Sequence, residues 1–272
     1  MININYYNEI KNEIINNEIT KKVKDYSKNK SDLATYYNVG KLLYSAGKHY
    51  GEGIIKEYSN RLTEELGKGY TTTGLKRRRQ FYIMIKKGAT LSHQLTLSHY
   101  QELLPCNSTI KINYYIKMSI EQNLSVRQLR QRIKSKEYER LPKDTKNKLV
   151  TKEKEEVQDL IKNPILIKNK YNYEDISEKA LQRLILDNIP SFLEELGQGF
   201  TFVKNEYKIK VGERYNYIDL LLFNYKYNCF VVVELKVTEL KKEYIGQIQV
   251  YMNYIDNNLR NINQDKTIGI IM

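Results

Sequence analysis

Two apolar runs, YIDLLLF (217–223) and CFVVVELKV (229–237), flank a short polar stretch. A hairpin turning at Lys226-Tyr227 sets Phe223 opposite Phe230, Leu221 opposite Val232, Asp219 opposite Glu234 and Tyr217 opposite Lys236. The two-residue side-chain period puts all of these on one face. Directly opposed side chains lie roughly 5 Å apart, where like charges destabilise a sheet. Burying a charge also costs several kcal/mol unless something pairs with it. Either this face is solvated or the two carboxylates hold a cation. The VVV and LLL runs argue for strands buried on at least one side. A divalent cation turns the repulsion into attraction, and Mg²⁺ suits a pair of carboxylates completed by water and phosphate oxygens, with Mn²⁺ as a substitute. Lys236 could then stabilise phosphate charge or help position or deprotonate a water. Gln247 and Tyr251, at i and i+4 on the next helical segment, share one face and could both reach the metal or a phosphodiester.

The surrounding pattern is mixed α/β. A helix SEKALQRLILDNIPSFLEELG is stopped by Gly197; strands FTFVKNEYKIKVG, YNYIDLLLF and CFVVVELKV follow, then a helix ELKKEYIGQIQVYMNYIDNN and a strand TIGIIM. Residues 1 to about 140 are helical in periodicity, with Ser31 placed to cap the second segment. A helix from Ile54 to Leu66 should stop at Gly67, and Thr71–Thr73 should cap another running to about Lys86. This is a helix-turn-helix pattern, with Lys76, Arg77, Arg78 and Arg79 near the start of its second helix, where such motifs meet bases and phosphates. A basic helix over 125–141 adds Arg127 and Arg130 around a Val126/Leu129/Ile133 stripe. The expected organisation is a helical domain over 1–145, a charged linker over 146–173 holding a short helix EKEEVQDLIKN ended by Pro164, and an α/β domain over 174–272.

Charge separates the halves. Residues 1–150 hold 28 Lys/Arg against 14 Asp/Glu, and residues 151–272 hold 17 against 18. An anion-binding module joined to a neutral one has this profile, and nucleic acid is the expected partner. The Asn-, Lys-, Ile- and Tyr-rich composition of AT-rich coding DNA competes as an explanation, but such a bias would not spare the second half. No apolar run reaches the length of a membrane span, and Cys106 and Cys229 show no CxxC spacing, so a cytoplasmic protein with reduced thiols is expected. His49, His93 and His99 show no metal spacing.

Asp219, then Glu234-Leu235-Lys236, then Gln247-x-x-x-Tyr251 resembles the PD-(D/E)XK nuclease superfamily in its QxxxY branch. With FLEELGQGFTFV, YIDLLLFNYKYNCFVVVELK, LTEELGKGYTTTGLKRRRQFY, LSHYQELL and LSVRQLRQRI, nearly the whole chain is similar to the YhcG-like PDDEXK nuclease domain-containing family. The resemblance implies a restriction-endonuclease-like second domain and a Mg²⁺-dependent nuclease acting on DNA, with RNA left open. It implies Asp219, Glu234 and the Leu235 carbonyl as metal ligands, Lys236 as the catalytic lysine, and Gln247 and Tyr251 as auxiliary residues. It places Gln182 where relatives often carry a third acid, with Glu178 one turn earlier. It allows a homodimer, and it implies a family domain continuing past Met272, so a truncated C-terminus is expected. Foreign-DNA defence, mobile-element or repair pathways are the context it suggests. A catalytically idle nucleic-acid-binding accessory protein and a protein-binding helical scaffold are the rival readings.

Overall fold

The computed structural model describes residues 5–22, 28–51, 53–67, 69–151, 153, 156, 159, 161–163, 165–167, 169–173 and 176–272, with only the backbone described at 20–22 and 28–31. The chain forms two compact units, Met1–Tyr138 and Glu139–Met272.

The first unit is helical: α1 (Tyr6–Lys22), α2 (Lys28–Tyr50), α3 (Ile54–Leu66), α4 (Thr72–Lys86), α5 (Leu97–Leu103), α6 (Thr109–Glu121) and α7 (Val126–Lys134). Ile10, Leu43, Ile55, Leu62 and Leu75 form one core, and Phe81, Tyr100, Tyr115, Ile116 and Leu129 anchor another. Helix α2 starts at Lys28, before Ser31, whose side chain lies outside the described residues. Helix α3 stops where Gly67 takes φ +89°, and Thr71 caps α4 by accepting the Gly74 N–H at 3.1 Å. Helices α2 and α4 cross at Gly40, where a Cβ would lie 2.2 Å from the Arg78 carbonyl oxygen. The basic helix expected over 125–141 is shorter. It ends at Lys134, and Lys136 adopts φ +54°, which an α-helix cannot continue through.

In the second unit the described part of the expected linker is folded. Helix α8 (Lys143–Thr151) buries Thr145 against Asp159, and Asp159 also accepts from Lys148 at 2.7 Å. Buried Lys162 reaches the Glu194 carbonyl, and Arg140 pairs with Glu195. The second compact unit begins at Glu139 and so takes in the span 146–173 expected as a linker. The EKEEVQDLIKN helix and Pro164 fall mostly outside the described residues.

The long helix expected over 177–197 is two helices, α9 (Glu178–Leu186) and α10 (Ile189–Leu196), because Pro190 cannot donate in a continuous helix and disfavours α geometry before it. The sheet runs β1 (Phe200–Val211), β2 (Arg214–Asn224), β3 (Cys229–Glu234), β4 (Asp265–Ile271) in that spatial order. Strands β1–β3 are antiparallel; β4 is parallel to β3 and reached through α11 (Lys242–Asn258). Leu220, Leu222, Val231 and Val233 pack with Ile185, Phe192 and Leu196 of α9 and α10. Leu221 and Val232 pack with Ile248, Tyr251 and Ile255 of α11. At Gly269 a Cβ would meet Met252 and Ile248 at 2.7 and 2.8 Å, so glycine allows α11 to lie close over β4. No described helix is long and apolar enough to cross a membrane.

Candidate active site

The β2–β3 register is the one expected: Leu220 pairs with Val233, Leu221 with Val232 and Phe223 with Phe230. The loop is four residues, 225–228, rather than a two-residue turn. Asn224 Oδ1 organises it by accepting the N–H groups of Lys226 (3.0 Å) and Tyr227 (3.2 Å), and Asn228 takes φ +48°. The ladder ends at Leu220–Val233, so Lys236 does not sit opposite Tyr217. Instead the Leu235 N–H donates to Asp219 Oδ2 at 2.8 Å, a side chain standing in for a strand. Beyond it, the chain bonds to β4: the Lys236 N–H donates to Met272 O at 2.6 Å, and the Met272 N–H to Glu234 O at 3.0 Å. Beyond Val233, β3 leaves the β2 ladder, and Asp219, Glu234 and Lys236 meet at the end of the hairpin.

Glu234 is buried, at 3 % exposure. Its Oε1 accepts from Lys236 Nζ at 2.9 Å and from Gln247 Nε2 at 3.1 Å. Gln247 Nε2 also lies 2.8 Å from the Tyr251 hydroxyl, so the two residues one turn apart on α11 act on Glu234 as a connected pair. Glu234 Oε2 is buried and, among the described residues, has no hydrogen-bond partner. A buried, unpaired carboxylate oxygen is costly in an otherwise well-satisfied site. It fits a divalent cation, as does the oxygen-only chemistry of the Asp219–Glu234 pair.

Burial, only partly offset by the Leu235 N–H, holds Asp219 above the usual carboxylate range. Burial also raises Glu234, with the Asp219 charge adding to it and the Lys236 hydrogen bond opposing it. Burial alone would lower Lys236, but Glu234 and the nearby carboxylates keep its ammonium above the usual lysine range. An isolated ion pair would pull its acid down. Here the acid is the more deeply buried partner and stands beside a second carboxylate, so desolvation and repulsion prevail at Glu234.

The candidates for a third acid contribute differently. Gln182 on α9 places Nε2 3.5 Å from the Asp219 carbonyl oxygen, a neutral contact at the limit of hydrogen bonding. Exposed Glu178 lies 3.7 Å from Lys236 Nζ. Among the described residues no three His, Cys, Asp or Glu side chains gather as a metal cluster. Tyr244, whose ring lies 5.2 Å from Lys236 Nζ, was not singled out from the sequence. Its position three residues before Gln247 on α11 is the signal that could have found it.

In the helical unit Lys76, Arg77 and Arg127 are exposed. Arg78 and Arg79 are half-buried, and the Arg78 guanidinium lies 4.9 Å over the Tyr36 ring. The KRRR run is therefore not one solvent-facing cluster. Arg130 forms a two-pronged ion pair with Glu102, at 3.0 and 2.7 Å. His99 uses both ring nitrogens structurally: Nδ1 faces Thr96 Oγ1 at 2.8 Å and Nε2 faces the Leu124 carbonyl oxygen at 2.9 Å.

Residues 158–272 match the family model described as the YhcG PDDEXK nuclease domain, and residues 6–140 match the DUF1016 N-terminal domain. A protein of Escherichia coli (strain K12), "Putative nuclease YhcG", is 24% identical over 283 residues, spanning 88% of this chain and 76% of that protein. No solved structure matches the chain.

Proposed function

The chain belongs to the YhcG-like PDDEXK nuclease family, and we propose that it is a divalent-cation-dependent DNA endonuclease, with Mg²⁺ as the working ion. The observation that carries the reading is the buried, unpartnered Glu234 Oε2 beside Asp219. Asp219, Glu234 and the Leu235 carbonyl would hold the cation. When bound, it would supply Lewis-acid charge that neutralises developing phosphate charge and lowers the pKa of water.

The protein's own residues have distinct tasks. Lys236, held as an ammonium, is suited to donating to a non-bridging phosphate oxygen or to the departing oxygen, more than to abstracting a proton. Gln247, braced by Tyr251, fixes the Glu234 carboxylate in one rotamer. The Leu235 N–H does the same for Asp219. Lys76, Arg77 and Arg127, in the half of the chain that carries all the excess positive charge, would grip phosphates. The reading includes a cytoplasmic location, homodimerisation to cut two strands, and a role in defence against foreign DNA, mobile elements or repair.

One observation favours a second reading, a catalytically idle DNA-binding accessory: Gln182 supplies no charge where a third acid is often found. Supercoiled plasmid separates the two. With Mg²⁺ or Mn²⁺ but not EDTA, wild type should nick or linearise it, and Glu234→Ala and Lys236→Ala should not. Intact plasmid with all three proteins, alongside equal salt-sensitive binding, would establish the idle binder.

A further inference from the structure

Strands β1 and β2 run on past Asp219 as a two-stranded ribbon. One face of this extension is buried: Ile209 and Ile218 are 1 % and 0 % exposed and join the core that includes Ile248 and Ile255 of α11. The ladder pairs Lys208 with Tyr217 and Lys210 with Tyr215, so these four side chains share the opposite face. Lys208 Nζ lies 3.9 Å from the Tyr215 ring centroid, as a shared face requires. Tyr215 and Tyr217 are 58 % and 53 % exposed, although tyrosine usually buries most of its ring.

The lysines alone carry little weight. Strand β1 is an edge of the sheet, and lysines commonly blunt exposed edges against pairing. That account does not reach the tyrosines: the ladder to β3 begins only at Leu220, so β2 is an edge here too, and exposed aromatic rings, unlike lysines, do not blunt an edge against pairing. Two exposed rings at two-residue spacing, interleaved with cations, form a surface on which bases stack while phosphates meet ammonium groups. The acidic neighbours Glu206 and Glu213 leave residues 204–217 with a net positive charge. The row also leads to the chemistry. At about 3.3 Å per residue, Tyr217 and Tyr215 stand roughly 7 and 13 Å along the strand from Asp219.

We propose that Lys208, Lys210, Tyr215 and Tyr217 form a platform for unpaired bases, so that the preferred substrate is DNA with a single-stranded segment next to the cut rather than uninterrupted duplex. The proposal rests on the nuclease reading above and deepens it. Bases inside a duplex already stack on each other and present no free face to a tyrosine, whereas a tail or flap does.

The test measures binding of the full chain, by fluorescence anisotropy in EDTA, to a blunt duplex and to the same duplex carrying an unpaired oligothymidine tail. Wild type should bind the tailed form more tightly. In Tyr215→Ala/Tyr217→Ala the tailed-to-blunt affinity ratio should fall by about 10-fold or more, since base–aromatic stacking spans roughly 5- to 150-fold per base. Tyr215→Phe/Tyr217→Phe should keep the ratio, because stacking needs the ring and not the hydroxyl. Equal wild-type affinity for both DNAs, an unchanged ratio in the alanine variant, or loss of the ratio in the phenylalanine variant would each overturn the platform. Cleavage of the same DNAs with Mg²⁺ or Mn²⁺ separates the two ideas. A tyrosine-dependent tail preference without cleavage leaves the platform standing and removes the nuclease reading. Cleavage without that preference does the reverse.

Discussion

The Glu234 site can be tested without knowing the substrate, because a cation that binds only the folded protein must stabilise it. Asp219 and Glu234 are both held above the usual carboxylate range, mainly by burial. A carboxylate with a raised folded pKa destabilises the fold when ionised. That penalty is fully present above the folded pKa and vanishes once the pH falls below the unfolded value. Glu234→Gln removes one such charge and should therefore melt at or above wild type in EDTA. A cation at about 100 times its Kd should add roughly 2.7 kcal/mol to wild type. For a unit of this size that corresponds to about 10 °C in Tm. The assay is thermal unfolding in EDTA and in Ca²⁺, Mg²⁺ or Mn²⁺. The cation-induced shift should vanish in Glu234→Gln and shrink as the buffer is acidified, since protons compete for the same oxygens. A wild-type Tm indifferent to all three ions, or a Glu234→Gln variant that gains as much as wild type, would refute the reasoning.

Three further outcomes follow from other parts of the chain. Gly40→Ala would drive a methyl group into the Arg78 backbone carbonyl, which cannot rotate away, so denaturant unfolding should show the helical unit losing roughly 1–3 kcal/mol or more. Burial would raise the Asp159 pKa, but Lys148, the Glu156 N–H and Thr145 together hold it below the usual range. Its stabilisation is present at neutral pH and lost as the pH falls through that depressed value, so Asp159→Asn should lower Tm at neutral pH and narrow its gap to wild type below about pH 4. If Lys76 and Arg77 meet phosphates, Lys76→Gln/Arg77→Gln should reduce the slope of log affinity against log salt by about 2. Arg130→Gln, by contrast, removes a cation already committed to Glu102 and should change that slope less.

The hairpin register was legible because the short polar stretch between the two apolar runs places the turn at Lys226-Tyr227, and that turn sets Leu221 against Val232. The departure of β3 from the β2 ladder at Glu234 was not, because it depends on a carboxylate of one strand capturing the N–H of another and on a ladder to β4. Lys236 thus lies beside Glu234 on a segment held to β4 rather than opposite Tyr217 on β2. The split between α9 and α10 is written in Pro190, which the apolar periodicity on either side obscured. The folded state of the expected linker was hidden for a different reason. Asp159 and Lys162 read as solvated charges until their partners, Lys148 and the Glu194 carbonyl, are brought beside them. The commitment of Arg130 to a residue 28 positions away is likewise a product of the fold.

Helix α11 is also the connection that carries the chain from β3 to β4. Gln247 and Tyr251 are therefore geared to the strand that bears Glu234: moving them means prising a crossover off the sheet, with Gly269 packed beneath it. A centre built this way gains little from closing around its substrate. It leaves evolution, or an engineer, free to redraw the ribbon tip while the Asp219–Glu234 corner is inherited as one part.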